Sequence, residues 1–387
     1  MFRFITIPDS CNLAGTLAVW CDGTRVAAID PESSAPGGSP RKERDSVASK
    51  KFGVGSVAAV AMATALVVGA CSSTASTSPS AAASATAKPH NIAYLSASTA
   101  NTWLAASKTE MDKIAAANNI TITTFDGQFK ADLQHTQMQD IISSGKYDGI
   151  LVVALDGSGL TPDLQAAVAK GMKLVGMNQV IGPDFTTAKP QVTGISAMVF
   201  EPPLIRGQRL GKLVNKACAG IDPCRVTYFF GIKGIPLDTA VRQGFDATIA
   251  ANVKVVDERE GQYLGPDAGQ KAMQDSITAT GGKFDVVVGA DQSMQGAQLA
   301  IADAGLTGKV KIIGFGGSKA AYDAITAGTW WGDLWGTPAT EGKLAMQALV
   351  DALNGKDDGG IDPGTNAIDD NGVTKDNISK FTAEWAG

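Results

Sequence analysis

The chain has 387 residues, of which 44% are hydrophobic, 18% are charged and 6% are aromatic. A formal net charge of −5 argues against a nucleic-acid-binding protein, which would need a basic surface. Two histidines, and five cysteines without a Cys-x-x-Cys pair, argue against a zinc site, and no cofactor is expected.

An apolar run in the N-terminal part of the chain ends abruptly at a cysteine. Lys50 and Lys51 precede the uncharged run 52–70, and Cys71 follows it. Basic residues, an apolar segment and small residues before a cleavage point are the three parts of a secretory signal peptide. The alternative is a transmembrane anchor, because a run of this length could just span a bilayer. Residues 1–46 fit poorly with export, and we interpret them as disordered or as an over-extended gene start.

The residues around this cysteine resemble the lipobox of bacterial lipoproteins, in which small residues such as Gly69-Ala70 stand before the modified position. In that family the cysteine thiol takes a diacylglycerol, and cleavage makes the cysteine the new N-terminus. The resemblance implies a signal peptide over 47–70, lipidation of Cys71, and a Ser/Ala-rich tether over 71–89. The protein would then be lipid-anchored at the outer face of the cytoplasmic membrane.

From residue 90 onwards, segments with strand and helix patterns alternate in two series. In the first series we predict strands at 91–97, 120–126, 149–154, 173–178 and 192–196, and helices at 102–118, 132–144, 162–170 and 203–219. In the second series we predict strands at 225–230, 253–259, 284–290, 310–315 and 329–335, and helices at 237–251, 267–280, 293–304, 319–327 and 340–354. The tail is predicted to contain a loop at 355–365, a strand at 366–368 and a short helix at 377–385.

This alternation predicts an α/β fold, because strands that alternate with helices form parallel sheets with right-handed crossovers. Two series of similar size predict two doubly wound parallel-sheet lobes. Ligands of such sheets bind beyond the carboxyl ends of the strands, so we expect the site in the cleft between the lobes.

Two cysteines, Cys218 and Cys224, lie in the part of the chain that is predicted to fold. They are separated by a short loop. Outside the cytoplasm a disulfide is the favoured state, and two free thiols are the alternative.

The order and spacing of several segments resemble the periplasmic sugar-binding proteins of the ribose/galactose type, which have the type I solute-binding fold. The resemblance covers roughly residues 90–386. The segments that carry it are Ser98–Trp103, Asp148–Val153, Arg242–Phe245, Val288–Ala297, Ile312–Gly316 and Ala327–Thr329. It implies a hinge of three segments, near 197–201, 336–338 and 366–369. The first lobe would comprise 90–198 and 337–366, and the second 199–336 and 367–387.

The same resemblance implies a non-enzymatic receptor that passes a small solute, with a sugar or polyol as the leading class, to the permease of an ABC importer. The sequence has no Walker lysine motif, no G-x-S-x-G, and no G-x-G-x-x-G after the first predicted strand. Two alternatives stay open. The chain could be a sensing receptor that feeds a membrane signalling protein, or it could bind a small solute other than a sugar.

The resemblance also implies the residues of the site, since sugars pack their C–H faces on aromatic rings and bind planar polar side chains through their hydroxyls. The implied aromatic residues are Trp103, Tyr263 and Phe315. The implied polar residues are Asn101, Asp156, Asn178, Gln179, Asp238 and Asp291.

Some of these residues have a second interpretation. Phe315 could belong to the core, and Asp291 could cap the helix that follows it. Trp335 is a further cleft candidate, because alternation along a strand would put it on one face with Trp331 and Asp333. This tryptophan-rich strand could equally be core, and Arg242 could point away from the cleft.

Overall fold

The computed structural model describes residues 88–365 and 368–387, and the backbone of three short strands between residues 12 and 25. The chain forms two compact units, residues 1–80 and 81–387. In the first unit, an antiparallel sheet has the order β1 (Asn12–Leu13), β2 (Val19–Cys21), β3 (Thr24–Arg25). The predicted signal peptide, Cys71 and the tether up to residue 87 lie outside the described residues.

The second unit alternates strands and helices along its length. Its strands are β4 (His90–Ser96), β5 (Ile120–Asp126), β6 (Gly149–Val152), β7 (Lys173–Met177), β8 (Ile195–Val199), β9 (Cys224–Phe230), β10 (Val253–Glu260), β11 (Val286–Ala290), β12 (Lys311–Phe315), β13 (Gly332–Leu334), β14 (Gly359–Ile361) and β15 (Gly372–Thr374). Its α-helices are α1 (Thr102–Ala117), α2 (Ala131–Ser144), α3 (Thr161–Ala169), α4 (Pro203–Ala217), α5 (Pro236–Asp246), α6 (Pro266–Thr280), α7 (Asp291–Asp303), α8 (Lys319–Ala327) and α9 (Pro338–Leu353).

These strands form two six-stranded sheets, each of which is the centre of one lobe. The sheet of the first lobe is parallel throughout, in the order β14-β8-β7-β6-β4-β5. The sheet of the second lobe has the order β10-β9-β11-β12-β13-β15 and is parallel except for the β13–β15 pair. The predicted fold class, two doubly wound lobes with parallel sheets, is confirmed.

Each sheet is covered by helices on both faces, which is why its central strands, such as β6 and β11, are apolar and buried on both faces. In β4, Ala93 and Leu95 pack with α2 and α3, whereas Ile92 and Tyr94 pack with α1 and α9. In the second lobe, one face packs with α4 and α5, and the other packs with α6, α7 and α8. The cores therefore lie within the lobes, and the carboxyl ends of the strands are left to form the cleft.

The chain passes between the two sheets three times. It leaves the first sheet after β8, returns after β13, where α9 packs on β7 and β8, and leaves again between β14 and β15. Within the second lobe, Cys218 and Cys224 form a disulfide that joins the end of α4 to the start of β9.

The C-terminal segment differs from the predicted helix at 377–385. It contains only a 3₁₀ turn, Ile378–Lys380, and then runs along the start of α8. The backbone N–H groups of Lys319 and Ala320 donate to the carbonyls of Trp385 and Ala386, at 2.9 and 3.1 Å. Hydrogen bonds to a distant segment have thus replaced the local helical ones.

Several other boundaries also differ from the prediction, including the end of α5, which lies at Asp246 rather than at residue 251. The predicted loop at 355–365 contains β14, and the predicted strand at 329–335 shortens to β13. Of the predicted strand at 366–368, Ile368 begins a 3₁₀ turn, and the other two residues lie outside the described part. None of the helices in 88–365 and 368–387 combines the length and the apolar character that a bilayer crossing requires.

Candidate functional site

A cavity lies between the two lobes, at the carboxyl ends of both sheets. The empty space inside it is about 670 Å³, including the part that is open to solvent. Its walls combine aromatic rings and a few polar side chains from both lobes.

Five aromatic side chains line this cavity. The first lobe contributes Trp103, from the first turn of α1, and Phe129; the second contributes Tyr263, Phe315 and Trp335. The rings of Phe129 and Tyr263 meet across the cleft with their centroids 6.4 Å apart. The cavity therefore offers apolar ring surface on both sides of any bound molecule.

Two glutamine side chains face the cavity without a hydrogen-bond partner in the described part of the chain. Gln179 follows β7 in the first lobe, and Gln292 is the second residue of α7 in the second lobe. Both are almost fully buried, at 5% and 4% exposure. A buried amide needs partners for its donors and its acceptor, so these groups are available to a bound polar molecule.

Asn101 links the two lobes directly. Its Oδ1 accepts a hydrogen bond from the backbone N–H of Leu104 at 2.8 Å and so caps α1. Its Nδ2 donates to the carbonyl oxygen of Tyr263, in the other lobe, at 3.0 Å. One side chain therefore begins a helix of the first lobe and holds the second lobe closed against it.

Glu341, in the first turn of α9, orients two of the cavity residues. Its Oε2 accepts hydrogen bonds from Trp103 Nε1 at 2.8 Å and from Asn178 Nδ2 at 3.2 Å. Burial raises the pKa of Glu341 to about 7, although these donors and the charge of Arg206 oppose the rise. Asn178 itself has a positive φ of 65°, which asparagine tolerates better than most residues.

Arg206, in the first turn of α4, is the cationic side chain that lines the cavity among the described residues. Its guanidinium lies 5.8 Å from the centre of the Trp103 ring, across the cleft. Its Nε donates to Glu201 Oε2 at 2.9 Å, and Arg209 also pairs with Glu201. The charge at this end of the cavity is therefore already paired within the protein.

Six of the predicted site residues line the cavity: Asn101, Trp103, Asn178, Gln179, Tyr263 and Phe315. Trp335, the candidate from the tryptophan-rich segment, lines it as well. Whether these residues contact a solute stays a prediction.

Three predicted carboxylates do not line the cavity, and their placement there was wrong. Asp238 accepts hydrogen bonds from the backbone N–H groups of Gly231 and Ile232 and from the hydroxyl of Tyr263. Burial raises the pKa of Asp238 to about 6. It therefore positions the ring of Tyr263 from behind, and the ring stands between it and the cavity.

The other two carboxylates are held by hydrogen bonds to nearby backbone. Asp156 Oδ1 accepts from the N–H of Gly159 at 2.9 Å, which closes the turn before α3. Asp291 is fully buried, and its Oδ2 accepts from the N–H of Ser318 at 2.8 Å. Asp291 does not cap its own helix either, because its hydrogen bond reaches the loop after β12.

The predicted common face of Trp331, Asp333 and Trp335 was also wrong. Trp331 packs with the core on the α4 and α5 side of the sheet, and Trp335 packs with the core on the opposite side. Alternation holds only inside a strand, and β13 is limited to Gly332–Leu334. Arg242 points away from the cavity and pairs with Asp246 and Glu258.

Four residues of the site and its support were missed in the sequence: Phe129, Arg206, Gln292 and Glu341. Gln292 directly follows Asp291, which was singled out, and Arg206 lies in the first turn of a predicted helix. Both positions lie in or beside predicted elements, but the neighbouring sequence does not distinguish any of the four residues from ordinary surface residues. Among the described residues, no group of three or more His, Cys, Asp or Glu side chains could hold a metal ion.

The sequence-family model of the periplasmic binding protein domain matches residues 92–357 of this chain. The chain is 27% identical over 277 residues to the xylitol-binding protein of Mycolicibacterium smegmatis, covering 70% of this chain and 73% of that protein. It is 25% identical over 238 residues to the D-xylose-binding periplasmic protein of Escherichia coli, covering 58% of this chain and 66% of that protein. The crystal structure of a galactofuranose-binding protein is similar, with a TM-score of 0.66 at 22% identity, covering 76% of this chain and 97% of that chain.

The chain belongs to the family of the periplasmic binding protein domain. The predicted membership of this family and its type I fold are confirmed. Its named relatives are binding proteins, not enzymes, in agreement with the prediction that the chain is not an enzyme.

Proposed function

We propose that this protein is the extracytoplasmic solute-binding component of an ABC importer, and that its cavity takes a small, neutral, polyhydroxylated solute, a sugar or a sugar alcohol. The observation that carries this proposal is the pairing of aromatic rings with unpartnered amides in one enclosed cavity. Rings pack on C–H faces, and primary amides both donate to and accept from hydroxyl groups.

The charge of the cavity supports a neutral solute. The carboxylates near it, Asp238, Asp291 and Glu341, all accept hydrogen bonds from the protein, and none of them lines the cavity. Arg206 is paired with Glu201. A cationic or anionic solute would lose its hydration without gaining an opposite charge, which is costly in a buried site.

The relatives favour the same class of solute. The two named relatives reported above bind xylitol and D-xylose, a sugar alcohol and a sugar of five carbons. Xylitol is therefore the first probe to use.

Two lobes joined by three segments support binding by closure. We propose that residues 90–198 and 337–366 form one lobe, that 199–336 and 367–387 form the other, and that they close as the solute is bound. The closed form would present both lobes to the permease of the importer.

We further propose that the protein is lipid-anchored through Cys71, which supports delivery of the solute close to the membrane. The support is the lipobox-like sequence at the end of the apolar run, Gly69-Ala70 followed by Cys71. A single acyl chain binds a membrane only weakly, whereas two or more anchor it stably. Metabolic labelling with a palmitate analogue should label the full chain but not the Cys71→Ser variant. Equal labelling of both would contradict the anchor.

Thermal-shift screening of the full chain tests the binding proposal. The panel holds xylitol, pentoses, hexoses and inositols, with a dicarboxylate and a diamine as charged controls. A ligand that binds only the native state stabilises it by ~2.7 kcal/mol at one hundred times its Kd. We expect a shift with at least one polyol or sugar and none with the charged controls. A shift only with a charged solute would refute the proposed class.

A further inference from the structure

Two fully buried carboxyl groups lie directly behind the cavity wall of the second lobe. Asp291 begins α7, and Asp333 is the central residue of β13; both have 0% exposure. Neither forms an ion pair with a Lys or Arg in the described part of the chain. Two like charges in such a place would be strongly unfavourable.

One oxygen of each carboxyl is satisfied by the same loop. Asp333 Oδ2 accepts from the N–H of Gly317 at 2.9 Å, and Asp291 Oδ2 accepts from the N–H of the next residue, Ser318, at 2.8 Å. Ser318 is also the N-cap of α8. The two carboxyls therefore fix the conformation of the loop between β12 and α8.

The other oxygen of each carboxyl has no donor. Asp291 Oδ1 and Asp333 Oδ1 are buried without a hydrogen-bond partner. Both lie close to one point above Gly314, where a Cβ would be 2.4 Å from the first and 2.9 Å from the second. The two unpartnered oxygens thus face the same point, and one proton between them would satisfy both.

We propose that Asp291 and Asp333 share a single proton, and that this carboxyl pair positions the cavity wall that the second lobe contributes. The proton resides on Asp333 and is donated to Asp291 Oδ1, so the pair carries one negative charge. That charge is stabilised by the two backbone donors and by the N-terminus of α7.

The charges around the pair agree with this assignment. Burial raises the pKa of both aspartates, and the negative charge of Asp291 raises that of Asp333 further. Among the described residues, Tyr322 of α8 interacts with both aspartates and with Glu384 of the C-terminal segment. Tyr322 and Glu384 are both acids, and burial raises the pKa of Tyr322 as well. In the described part of the chain, no Lys or Arg lies beside either carboxyl to take the place of the proton.

The pair matters for binding because every segment it joins contributes to the cavity. Gln292 follows Asp291, Leu334 follows Asp333, and Phe315 and Gly316 precede the loop that both carboxyls hold. Asp291 and Asp333 are thus positioning residues. This part of the proposal rests on the proposed function; the shared proton does not.

The first test needs no variant. In the full chain labelled with ¹³C-aspartate, NMR at pH 8 should show one protonated carboxyl resonance, because Asp238, with a pKa of about 6, is ionised there. The resonance should be absent in Asp333→Asn and unchanged in Asp303→Asn, an exposed control on α7. A spectrum in which every aspartate is ionised at pH 8 would overturn the shared proton.

The second test compares two replacements of Asp333. In Asp333→Asn, the amide Nδ2 can donate to Asp291 in place of the proton, whereas Asp333→Leu offers neither a donor nor an acceptor. We expect the melting temperature of Asp333→Asn to stay within about 2 °C of the parent at pH 7, and that of Asp333→Leu to fall by about 5 °C or more. Equal losses would overturn the pairing.

The third test addresses positioning, with xylitol as the probe. We expect Asp333→Asn to keep the Kd within about threefold and Asp333→Leu to raise it tenfold or more. An unchanged Kd in Asp333→Leu would refute the positioning role. If the parent chain binds no member of the solute panel, the proposed function fails. The NMR and melting experiments still test whether Asp291 and Asp333 share a proton.

Discussion

At the scale of single residues, the site depends on carboxylates that a bound solute would not touch. Glu341 holds Trp103 and Asn178, and Asp238 holds Tyr263, each through hydrogen bonds shorter than 3.3 Å. Such supporting groups fix the orientation of cavity side chains before a solute arrives. This preorganisation lowers the entropic cost of binding.

The raised pKa of Glu341 makes stability depend on pH. Because the folded pKa of about 7 exceeds the ordinary 4.5, the folded chain favours the protonated form. The resulting stabilisation is complete below pH 4.5 and disappears as the pH rises to about 7, at up to ~1.4 kcal/mol per pH unit.

We therefore predict that Glu341→Gln loses this dependence. Melting temperatures measured from pH 5 to pH 8 should fall for the parent relative to Glu341→Gln. Glu110→Gln, a change of the same kind on the surface of α1, should follow the parent. Parallel curves for the parent and Glu341→Gln would show that Glu341 is ionised throughout.

Trp103 is half-buried, so its ring has one face for the protein and one for the cavity. We predict that Trp103→Ala raises the Kd for a bound polyol by roughly 10–100-fold, from the loss of apolar contact. The melting temperature of the solute-free variant should stay close to that of the solute-free parent. Trp331→Ala is the matched control, because Trp331 packs in the second lobe away from the cavity, and it should keep the thermal shift. A large stability loss in Trp103→Ala would identify Trp103 as a core residue.

At the scale of elements, the disulfide lies at the end of β9 opposite to the cavity. Cys218 ends α4 and Cys224 begins β9, whereas the cavity is at the carboxyl ends of the strands. We therefore expect the disulfide to affect the stability of the fold but not the affinity of the cavity for a solute. Both cysteines are fully buried.

We predict that reduction lowers the melting temperature without changing solute affinity. Closing a loop of this length reduces the conformational entropy of the unfolded chain and so stabilises the fold by ~2 kcal/mol, which corresponds to roughly 3 °C for a folded part of this length. Scanning calorimetry with and without reductant measures the shift. In the double variant Cys218→Ser/Cys224→Ser, the reductant should leave the melting temperature unchanged. If the reductant lowers the melting temperature of this variant as much as that of the parent, its effect does not come from this disulfide.

At the scale of the whole molecule, the lobes are in contact across the cleft. Asn101 donates to the carbonyl of Tyr263, and Arg206 lies over the ring of Trp103. Asn371, near the third passage between the lobes, donates a hydrogen bond from its Nδ2 to Glu201 Oε1, near the first passage, at 3.3 Å. These contacts describe a closed form, in which a bound solute would be enclosed.

The Asn101→Asp variant tests closure of the lobes without disturbing the fold of either lobe. The aspartate keeps the oxygen that caps α1, but it presents an acceptor to the carbonyl of Tyr263 and so opposes closure. We predict a Kd at least tenfold higher, in line with ~1–3 kcal/mol for a buried group without its partner. The solute-free melting temperature should be nearly unchanged. In small-angle scattering, the parent should contract on addition of solute and the variant should contract less at equal concentration. A strong loss of solute-free stability would mean that the cap was broken.

The sequence by itself determined the elements that local pattern encodes. Alternating apolar segments specified the strands and helices, and their order specified two doubly wound lobes with a cleft between them. Residues that directly follow a strand or begin a helix, such as Asn101, Trp103 and Gln179, could be assigned to the cleft because the carboxyl edge of a parallel sheet is common to all its strands.

Only the tertiary structure decided which of these side chains face the cavity. Asp291 and Gln292 are neighbours, yet the loop after β12 offers a backbone donor to the first, and the second is left facing the cavity. The C-terminal segment lost its helix to hydrogen bonds with α8. In each case the deciding partner lies far away in the sequence, and the orientation of a side chain depends on that partner, which a local pattern does not contain.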